Sequence, residues 1–428
     1  MSTPSGLPAR RAALRLLDAV LRRGETLDQA ARAALGGVPE FADQALARAI
    51  TGEVLRWLVD LDAAIDSATR QPLAPDAKAR MVLRIMLAQW LRLGTPPHAV
   101  VATGLPLLAG GPRRLAHGVF STLSRGKLAL PPAPTLPLEV SARWGERAQA
   151  IAAGLAEPPP LDLSLKHGHD TAEWMTRLGG DSLAPGHVRV PRGGPVEELA
   201  GYAEGEWWVQ DLAAGLPARI LGEGEGRRVL DMCAAPGGKA LQLAAAGWHV
   251  TALDASEQRL AILRQNLART SLPAEIVTAD AFDWEPAEPF DAVLLDAPCT
   301  ATGTCRRHPD VLHRIGPRQI AELAEMQSRL LERAAQWVRP GGRLVYAVCS
   351  LESEEGEAQA ARMPMPLEPI TADELPAGLV PAPQGWLRTD PGMLAEAGGL
   401  DGFFIARWRM PGADITETAT ITPTPPTA

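Results

Sequence analysis

The second half of the chain alternates between short apolar runs and helical patterns, and this alternation restricts its fold more than any other feature. Five runs have the composition of strands: 228–232, 249–254, 275–278, 291–296 and 342–348. Helical patterns begin between them at Lys239, Glu257 and Pro317. Strands that alternate with helices form a parallel, doubly wound sheet whose functional site lies at the carboxyl ends of the strands. The sequence therefore predicts an α/β domain and places its site among the residues that follow each strand.

The first part of the chain has a different pattern. Apolar residues recur at helical spacing within 12–21, 41–65 and 78–93, which predicts an all-helical domain over residues 6–128. Four prolines within 128–138 are typical of a stiff linker. From residue 138 to about 221 the signals are mixed, with a helix expected near 140–155 and a strand near 161–166. We interpret that segment as a small α+β subdomain.

These patterns divide the chain into four parts. We expect a helical domain over residues 1–130, the small subdomain over 138–221, the α/β domain over 222–410 and a tail over 411–428. The tail is rich in proline and threonine and contains Ile415 and Ile421 as its large apolar residues, so we expect it to be disordered.

The net charge of −8 is unevenly distributed. Residues 1–130 hold 17 basic and 10 acidic residues, a balance of +7, and the remainder therefore carries −15. A basic domain on an acidic protein suits a polyanion, although arginines that only solvate helix surfaces would give the same count.

The sequence also favours a cytoplasmic protein without a metal site. It contains no apolar run of membrane-spanning length, and residues 1–15 do not resemble a signal peptide. Its four cysteines fit neither a disulfide framework nor a zinc pattern, so we expect them to be reduced and available for chemistry.

A glycine-containing loop follows the first strand of the α/β domain. After Asp231 the chain reads Cys233, Ala234, Ala235, Pro236, Gly237, Gly238 and Lys239. This is not the dinucleotide pattern G-x-G-x-x-G, but it lets the backbone approach a ligand at a helix N-terminus.

Asp254 and Asp280 end the next two strands, where they are expected to meet the ribose hydroxyls and the adenine amine of a nucleoside. A single strand-end aspartate is more often a turn or capping residue, but three at successive strand ends favour a ligand. A nucleoside cofactor without a pyrophosphate fits best, and S-adenosylmethionine is such a cofactor. For Lys239, a solvated lysine on the helix surface is the alternative.

Two further strands each end at a cysteine. Cys299 closes Asp296-Ala297-Pro298-Cys299, and Cys349 follows the strand 342–348. A thiolate that adds to C6 of a pyrimidine makes C5 nucleophilic, so that C5 attacks a methyl sulfonium. Asp296 is placed to hydrogen-bond N3 of the base, and a second thiol would assist the elimination step. For Cys233 and Cys305 we favour inert, buried positions.

The motifs together resemble a known family. Asp231–Lys239, Asp296–Cys299, Arg306-Arg307-His308-Pro309-Asp310 and Val348-Cys349-Ser350 are similar to those of the RNA cytosine-C5 methyltransferases of the NOL1/NOP2/Sun superfamily. The match is closest to the RsmB/Sun (Fmu) family, which modifies bacterial small-subunit ribosomal RNA and carries a NusB-like helical domain. Residues 43–57 and 96–100 resemble that domain, so the resemblance covers nearly the whole chain except the tail.

The resemblance implies an all-α NusB-like RNA-binding domain, a small RNA-recognition-like α+β subdomain and a Rossmann-like methyltransferase domain. It implies that Cys349 is the nucleophile and that Cys299 releases the product. Residues 233–239, Asp254, Asp280 and Asp296 would line the pocket for S-adenosylmethionine and the base. Two departures are Val348, where the family has threonine, and Cys305, where an aliphatic residue is usual.

The leading hypothesis is therefore methylation of C5 of an unpaired or flipped cytidine in small-subunit ribosomal RNA by a monomeric enzyme. The alternatives are the same chemistry on transfer RNA, a non-catalytic RNA-binding or antitermination-like factor, and a DNA-type enzyme in which Cys299 is the nucleophile. Trp207 and Trp208 are candidates for stacking on RNA bases, with burial of at least one as the other reading. The target nucleotide, the base that removes the C5 proton and the assembly state of the substrate are not given by the sequence.

Overall fold

The computed structural model describes residues 6–126 and 128–412. Within them lie a helical domain, a small unit built on a three-stranded sheet and an α/β domain built on a seven-stranded sheet. Of the predicted tail, residues 413–428 lie outside the described part of the chain.

The amino-terminal domain is helical, as predicted. Its helices are α1 (Leu7–Arg23), α2 (Leu27–Leu35), α3 (Phe41–Arg56), α4 (Leu58–Ser67), α5 (Lys78–Leu91), α6 (Pro97–Gly104) and α7 (Gly110–Arg125). The helical pattern over 41–65 is divided at Trp57, which ends α3 and precedes α4. Helix α5 is buried continuously from Ala79 to Gln89 and forms the centre of this domain.

The middle of the chain contains α8 (Leu138–Trp144), α9 (Ala148–Gly154), β1 (Leu161–Leu165), α10 (Thr171–Leu178), β2 (His187–Val190) and β3 (Trp207–Val209). The single helix expected near 140–155 is wrong, because Gly145 adopts a φ of 55° and separates α8 from α9. The three strands pair antiparallel in the order β2-β1-β3. Helices α8 and α9 do not join this sheet; they pack against Cys305 and Leu351 of the α/β domain.

The α/β domain carries the remaining elements. Its helices are α11 (Leu212–Arg219), α12 (Gly238–Ala245), α13 (Glu257–Thr270), α14 (Val311–Arg314), α15 (Pro317–Gln336) and α16 (Glu357–Arg362). Its strands are β4 (Arg228–Met232), β5 (His249–Asp254), β6 (Glu275–Thr278), β7 (Phe290–Asp296), β8 (Val338–Val348), β9 (Leu387–Arg388) and β10 (Phe404–Arg409). They lie in the order β6-β5-β4-β7-β8-β10-β9.

The sheet is doubly wound, and the five predicted strands, β4 to β8, are parallel to one another as expected. Two strands that were not predicted make it mixed, because β10 pairs antiparallel with β8 and β9 pairs antiparallel with β10. After β8 the chain passes through the short helix α16, a long loop and β9 before it reaches β10, which returns beside β8 in the opposite direction.

Apolar layers cover both faces of the sheet. One face packs on α11, α12 and α13, and the other packs on α15. The strand order reverses between β4 and β7, and ligands of such sheets bind at the carboxyl side of this switch point. Asp231, Asp296, Cys299 and Cys349 all lie at or just beyond these strand ends.

The helical domain contacts the α/β domain through buried polar groups. The Arg56 guanidinium at the end of α3 donates hydrogen bonds to the Arg306 carbonyl at 3.1 and 3.2 Å and to the Leu155 carbonyl at 3.3 Å. None of the helices within the described residues is both long and apolar enough to cross a membrane.

Candidate active site

The loop after β4 makes a tight, closely packed turn. Cys233 has a φ of 64°, Gly237 has a φ of 112°, and the bond between Ala235 and Pro236 is cis. A Cβ atom at Gly237 would collide with the Leu263 side chain on α13, so glycine is required there for space as well as for conformation. The turn leads directly into α12, whose N-terminal amides face the carboxyl edge of the sheet.

The aspartates that follow β5 and β6 differ in their surroundings. Asp254 is buried, and its carboxylate accepts hydrogen bonds from the Ala235 amide at 3.1 Å and the Ser256 amide at 2.8 Å. It therefore ties the glycine loop to β5 as well as facing the site. Asp280 is exposed and accepts a hydrogen bond from the Phe282 amide at 2.9 Å, which leaves most of its acceptor capacity free.

Asp231 is the most unusual acidic group in the site. Its side chain is fully buried, and neither carboxyl oxygen has a hydrogen-bond partner within the described residues. Burial raises its pKa to about 8, with a further contribution from the negative charge of Asp296, while Lys239 acts in the opposite direction. A buried carboxyl without a partner is costly unless a ligand supplies one, so this position suits a cationic group.

Lys239 is not a solvated lysine on the helix surface. Its Nζ lies 2.7 Å from Oδ2 of Asp296 and 5.3 Å from the centre of the buried Phe403 ring, and only 10% of its side chain is exposed. Burial lowers its pKa, but the charge of Asp296 and the hydrogen bond to it outweigh burial, so the pKa is raised overall. The pair joins the first turn of α12 to the end of β7.

The two sulfurs of Cys299 and Cys349 lie 3.4 Å apart. Both side chains are half-buried, at the ends of the neighbouring strands β7 and β8. The pKa of the Cys299 thiol is raised well above its ordinary value, first by its hydrogen bond to Cys349, then by burial and by the negative charges of Cys349 and Glu355. Cys349 also interacts electrostatically with the Lys239 ammonium.

The other two cysteines have surroundings that disfavour thiolate chemistry. Cys305 is fully buried in an apolar cluster with Leu136 and Ile151, and burial raises its pKa to about 12. Burial also raises the pKa of Cys233, together with the charge of Asp254.

Val348 is completely buried beside Phe404, so the methyl groups at this position contact an apolar layer.

Trp207 and Trp208 are both buried, which confirms the expectation of burial for at least one of them and makes stacking of either on RNA bases wrong for the structure as it stands. Trp207 is fully buried in the core of the small sheet, and Trp208 is 3% exposed. Their indole nitrogens donate hydrogen bonds to the Ala200 carbonyl and to Gln210, respectively. Two adjacent residues of a short edge strand normally point to opposite faces, but here both faces are covered.

Sequence reasoning also missed the groups that hold the site together. Arg306 and Arg307 both form ion pairs with Asp211 and Asp401, at 2.7 to 3.2 Å, and thereby connect the loop after β7 to α11 and to the segment before β10. Burial and the nearby Asp211 raise the pKa of Asp401 to about 6. The paired arginines were visible in the sequence, but their distant acidic partners carried no local signal.

The described residues contain no cluster of three or more histidine, cysteine or acidic side chains arranged to hold a metal ion.

A doubly wound sheet with a glycine loop after β4, acidic residues at its strand ends and an antiparallel strand at its edge defines a Rossmann-like methyltransferase domain.

Comparison with known proteins identifies a family within this class of methyltransferases. Residues 218–409 match the family described as 16S rRNA methyltransferase RsmB/F, and residues 7–107 match the NusB family. A protein named ribosomal RNA small subunit methyltransferase B from Xanthomonas campestris pv. campestris is 38% identical over 380 residues, which cover 83% of this chain and 87% of the relative. Its namesake from Xylella fastidiosa strain Temecula1 is 36% identical over 427 residues, covering 94% and 98%.

The crystal structure of PH0851 has the same fold over almost the whole chain. The TM-score is 0.69 at 22% identity, with 95% of this chain and 99% of that chain covered. The chain therefore belongs to the RsmB/F family of 16S rRNA methyltransferases and is an RNA methyltransferase.

Proposed function

We propose that this protein transfers a methyl group from S-adenosylmethionine to C5 of a cytidine in small-subunit ribosomal RNA, through a covalent bond between Cys349 and C6 of the base. The observation that carries the proposal is the pair of sulfurs 3.4 Å apart beside the Lys239–Asp296 pair. The family supports an RNA substrate, and its relatives are named for small-subunit ribosomal RNA. The thiol pair supports C5 as the methylated position, because addition of a thiolate to C6 activates C5.

The residues around the glycine loop fit the cofactor. The buried, unpartnered carboxyl of Asp231 suits a cationic group such as the methionine ammonium, and the α12 N-terminus suits the carboxylate. Asp254 retains lone pairs for ribose hydroxyls, and the exposed Asp280 is available to the adenine amine. S-adenosylmethionine would supply the methyl group as an electrophilic sulfonium methyl.

Cys349, Asp296 and Lys239 have different roles in the proposed reaction. Cys349 forms a bond from sulfur to C6 and thereby moves electron density to C5, N3 and O2 of the cytosine. Asp296, fixed by Lys239, would contact the polar edge of the base, and the raised pKa of Lys239 would keep a positive charge beside the growing negative charge. After C5 gains the methyl group it loses its proton to a water molecule acting as the base, and the electron pair of that C–H bond expels the Cys349 sulfur as a thiolate.

Cys299 is proposed to assist this last step. Its raised pKa keeps it in the thiol form, and it lies 3.4 Å from the sulfur that must leave. A thiol at this distance donates a hydrogen bond to the departing thiolate and so makes it a better leaving group.

Single replacement of each thiol tests the proposal. With bacterial small-subunit ribosomal RNA and S-adenosylmethionine, Cys349→Ala is expected to abolish methylation, whereas Cys299→Ala is expected to accumulate a protein–RNA adduct that survives denaturing gels. Cys305→Ala is the matched control, since it removes a thiol buried outside the site. Bisulfite sequencing of ribosomal and transfer RNA from a deletion strain identifies the substrate class.

Other outcomes would select the alternatives. An adduct that forms through Cys299 and not Cys349 indicates the DNA-type assignment. Methylation that survives both replacements excludes covalent catalysis, and loss of methylcytidine from transfer RNA alone moves the substrate to transfer RNA. RNA binding without any methylation leaves a binding factor.

A further inference from the structure

A carboxylate that the mechanism above does not use lies between the two cysteine loops. Glu355 is fully buried in the turn that follows Cys349. One of its carboxyl oxygens, Oε1, accepts hydrogen bonds from the Thr300 amide at 3.0 Å and from Nε2 of Gln327 at 2.8 Å. The other, Oε2, accepts hydrogen bonds from the Ser350 hydroxyl at 2.5 Å and from the Thr300 hydroxyl.

These contacts join the residue that follows each reactive cysteine. Thr300 is the neighbour of Cys299, and Ser350 is the neighbour of Cys349, so one carboxylate bridges both loops. Gln327 on α15 extends the bridge, because the same amide nitrogen also donates to the Pro298 carbonyl at 2.8 Å.

Burial of the Glu355 carboxylate at this position costs free energy. All four donors to Glu355 are neutral groups, so the buried carboxylate is satisfied by hydrogen bonds rather than by a salt bridge. Burial of a charge costs several kcal/mol even when it is hydrogen-bonded, and a neutral side chain of similar shape would avoid that cost. Stability alone therefore does not account for a glutamate at this position.

We propose that Glu355 is a positioning residue of the thiol pair, which sets the separation of the two sulfurs by holding the residue next to each cysteine. This inference rests on the proposed covalent function for its purpose, but the contacts that carry it involve no RNA. It can therefore fail while the proposed function stands, and it can be measured without substrate.

The charge of Glu355 has a second effect at the same place. It contributes to the raised pKa of Cys299, after the hydrogen bond that Cys299 makes with Cys349 and after burial. Other ionisable groups near these thiols are Tyr346, whose hydroxyl donates to the Glu355 carbonyl at 2.6 Å, Arg388, whose guanidinium donates to the Ser350 carbonyl, and the Lys239–Asp296 pair. Glu355 thus helps to keep Cys299 in the thiol form.

The test compares Glu355→Gln and Glu355→Asp with a matched control, Glu352→Gln. Glu352 lies in the same turn and is 2% exposed, but it binds Arg143 and Trp144 of α8 and not the residues next to the cysteines through its carboxylate. Two readouts are taken from each full-length variant. The first is the pH profile of Cys299 alkylation by iodoacetamide, followed by peptide mass spectrometry. The second is kcat and KM for RNA.

Glu355→Gln is expected to shift the Cys299 alkylation profile to lower pH, because a nearby negative charge is removed. It is also expected to lower kcat by about 10- to 100-fold with little change in KM, because a misplaced thiol affects the reaction more than RNA binding. Glu355→Asp keeps the charge but shortens the bridge, so its alkylation profile should stay near that of the wild type while its kcat falls. Glu352→Gln should leave both readouts unchanged.

The inference is overturned if Glu355→Gln matches the wild type in both readouts, or if Glu352→Gln shows the same losses. If Glu355→Gln does not fold, Glu355→Asp tests the positioning role, and a wild-type kcat for that variant would reject it. Failure of the wild-type protein to methylate cytidine would reject the proposed function alone, since the alkylation profiles would still report on Glu355.

Discussion

Replacement of Asp231 by asparagine is expected to make the protein more stable, and increasingly so as the pH rises. In the wild type, burial raises the pKa of Asp231 to about 8 from an ordinary value of 3.8. Between these values the unfolded chain has released the proton and the folded chain still holds it. Folding therefore takes up a proton, and the stability of the wild type falls as the pH increases through this range.

The size of the effect follows from the proton count. One proton of difference changes the free energy of unfolding by about 1.4 kcal/mol per pH unit. From pH 5.5 to 7.5 the Asp231 contribution should weaken by about 2–3 kcal/mol in the wild type, whereas an asparagine has no proton to release. For a domain of this size, that difference corresponds to about 5–10 °C in Tm.

Thermal denaturation of the ligand-free protein at pH 5.5 and 7.5 measures this change, since any pH-independent difference between the aspartic acid and asparagine side chains cancels between the two conditions. Asp310→Asn is the control, and it is expected to change the stability of the protein in the opposite direction. Asp310 is buried and paired with Arg314 at 2.9 Å, so its replacement should destabilise the protein at both pH values. Parallel pH profiles for the wild type and Asp231→Asn would refute the reasoning, because they would mean that Asp231 titrates alike in the folded and unfolded chains.

Three further outcomes are expected. Lys239→Met should lower kcat at least about 100-fold while Lys239→Arg retains part of it, because the methionine leaves Asp296 without its cation; steady-state kinetics measure both. Arg306→Lys should cost about 3 kcal/mol in unfolding free energy, because lysine cannot bridge both buried acidic partners; denaturant titration checks this, and a loss under about 1 kcal/mol would contradict it. Reversal of the exposed charges of α7 in Arg113→Glu/Arg114→Glu should weaken RNA binding and reduce its dependence on salt; equal salt slopes would exclude α7 from the RNA contact.

The sequence was sufficient for the class of fold because periodicity reports on burial. Strands β4, β5 and β7 and the second half of β8 are buried on both faces, so their apolar runs stand out from the helices between them, whereas the edge strand β6 is partly exposed. Strand β10 was missed for a related reason. Its sequence, Phe-Ile-Ala-Arg-Trp-Arg, places Arg407 within an apolar run, and only the fold shows that this arginine is buried against Glu374 and the Ile220 carbonyl. A buried, paired charge looks like a solvent-exposed position in the sequence.

The prediction of the active site is limited in the same way, because a local sequence pattern does not show distant partners. The predicted cysteines share an edge because parallel strands place their carboxyl ends together, which is a property of topology and so can be read from the order of elements. The partner of Lys239 is 57 residues away, and Thr300 is 55 residues from Glu355. Such contacts depend on side-chain directions at the ends of elements, and no local pattern encodes them.

The charge of the helical domain shows why composition alone left the RNA question open. Of its basic residues, Arg10, Arg56, Arg80 and Arg84 are buried. Arg80 and Arg84 are both paired with Asp62, and Arg56 holds the Arg306 loop, so this part of the positive charge stabilises the protein and is not presented to a polyanion. The exposed basic residues, which lie on α1, α2, α3, α5 and α7 and at Arg70, are what remains for RNA. If RNA binding follows the total charge, mutations on any helix should weaken it alike; if it follows the surface, only those exposed positions should change its salt dependence.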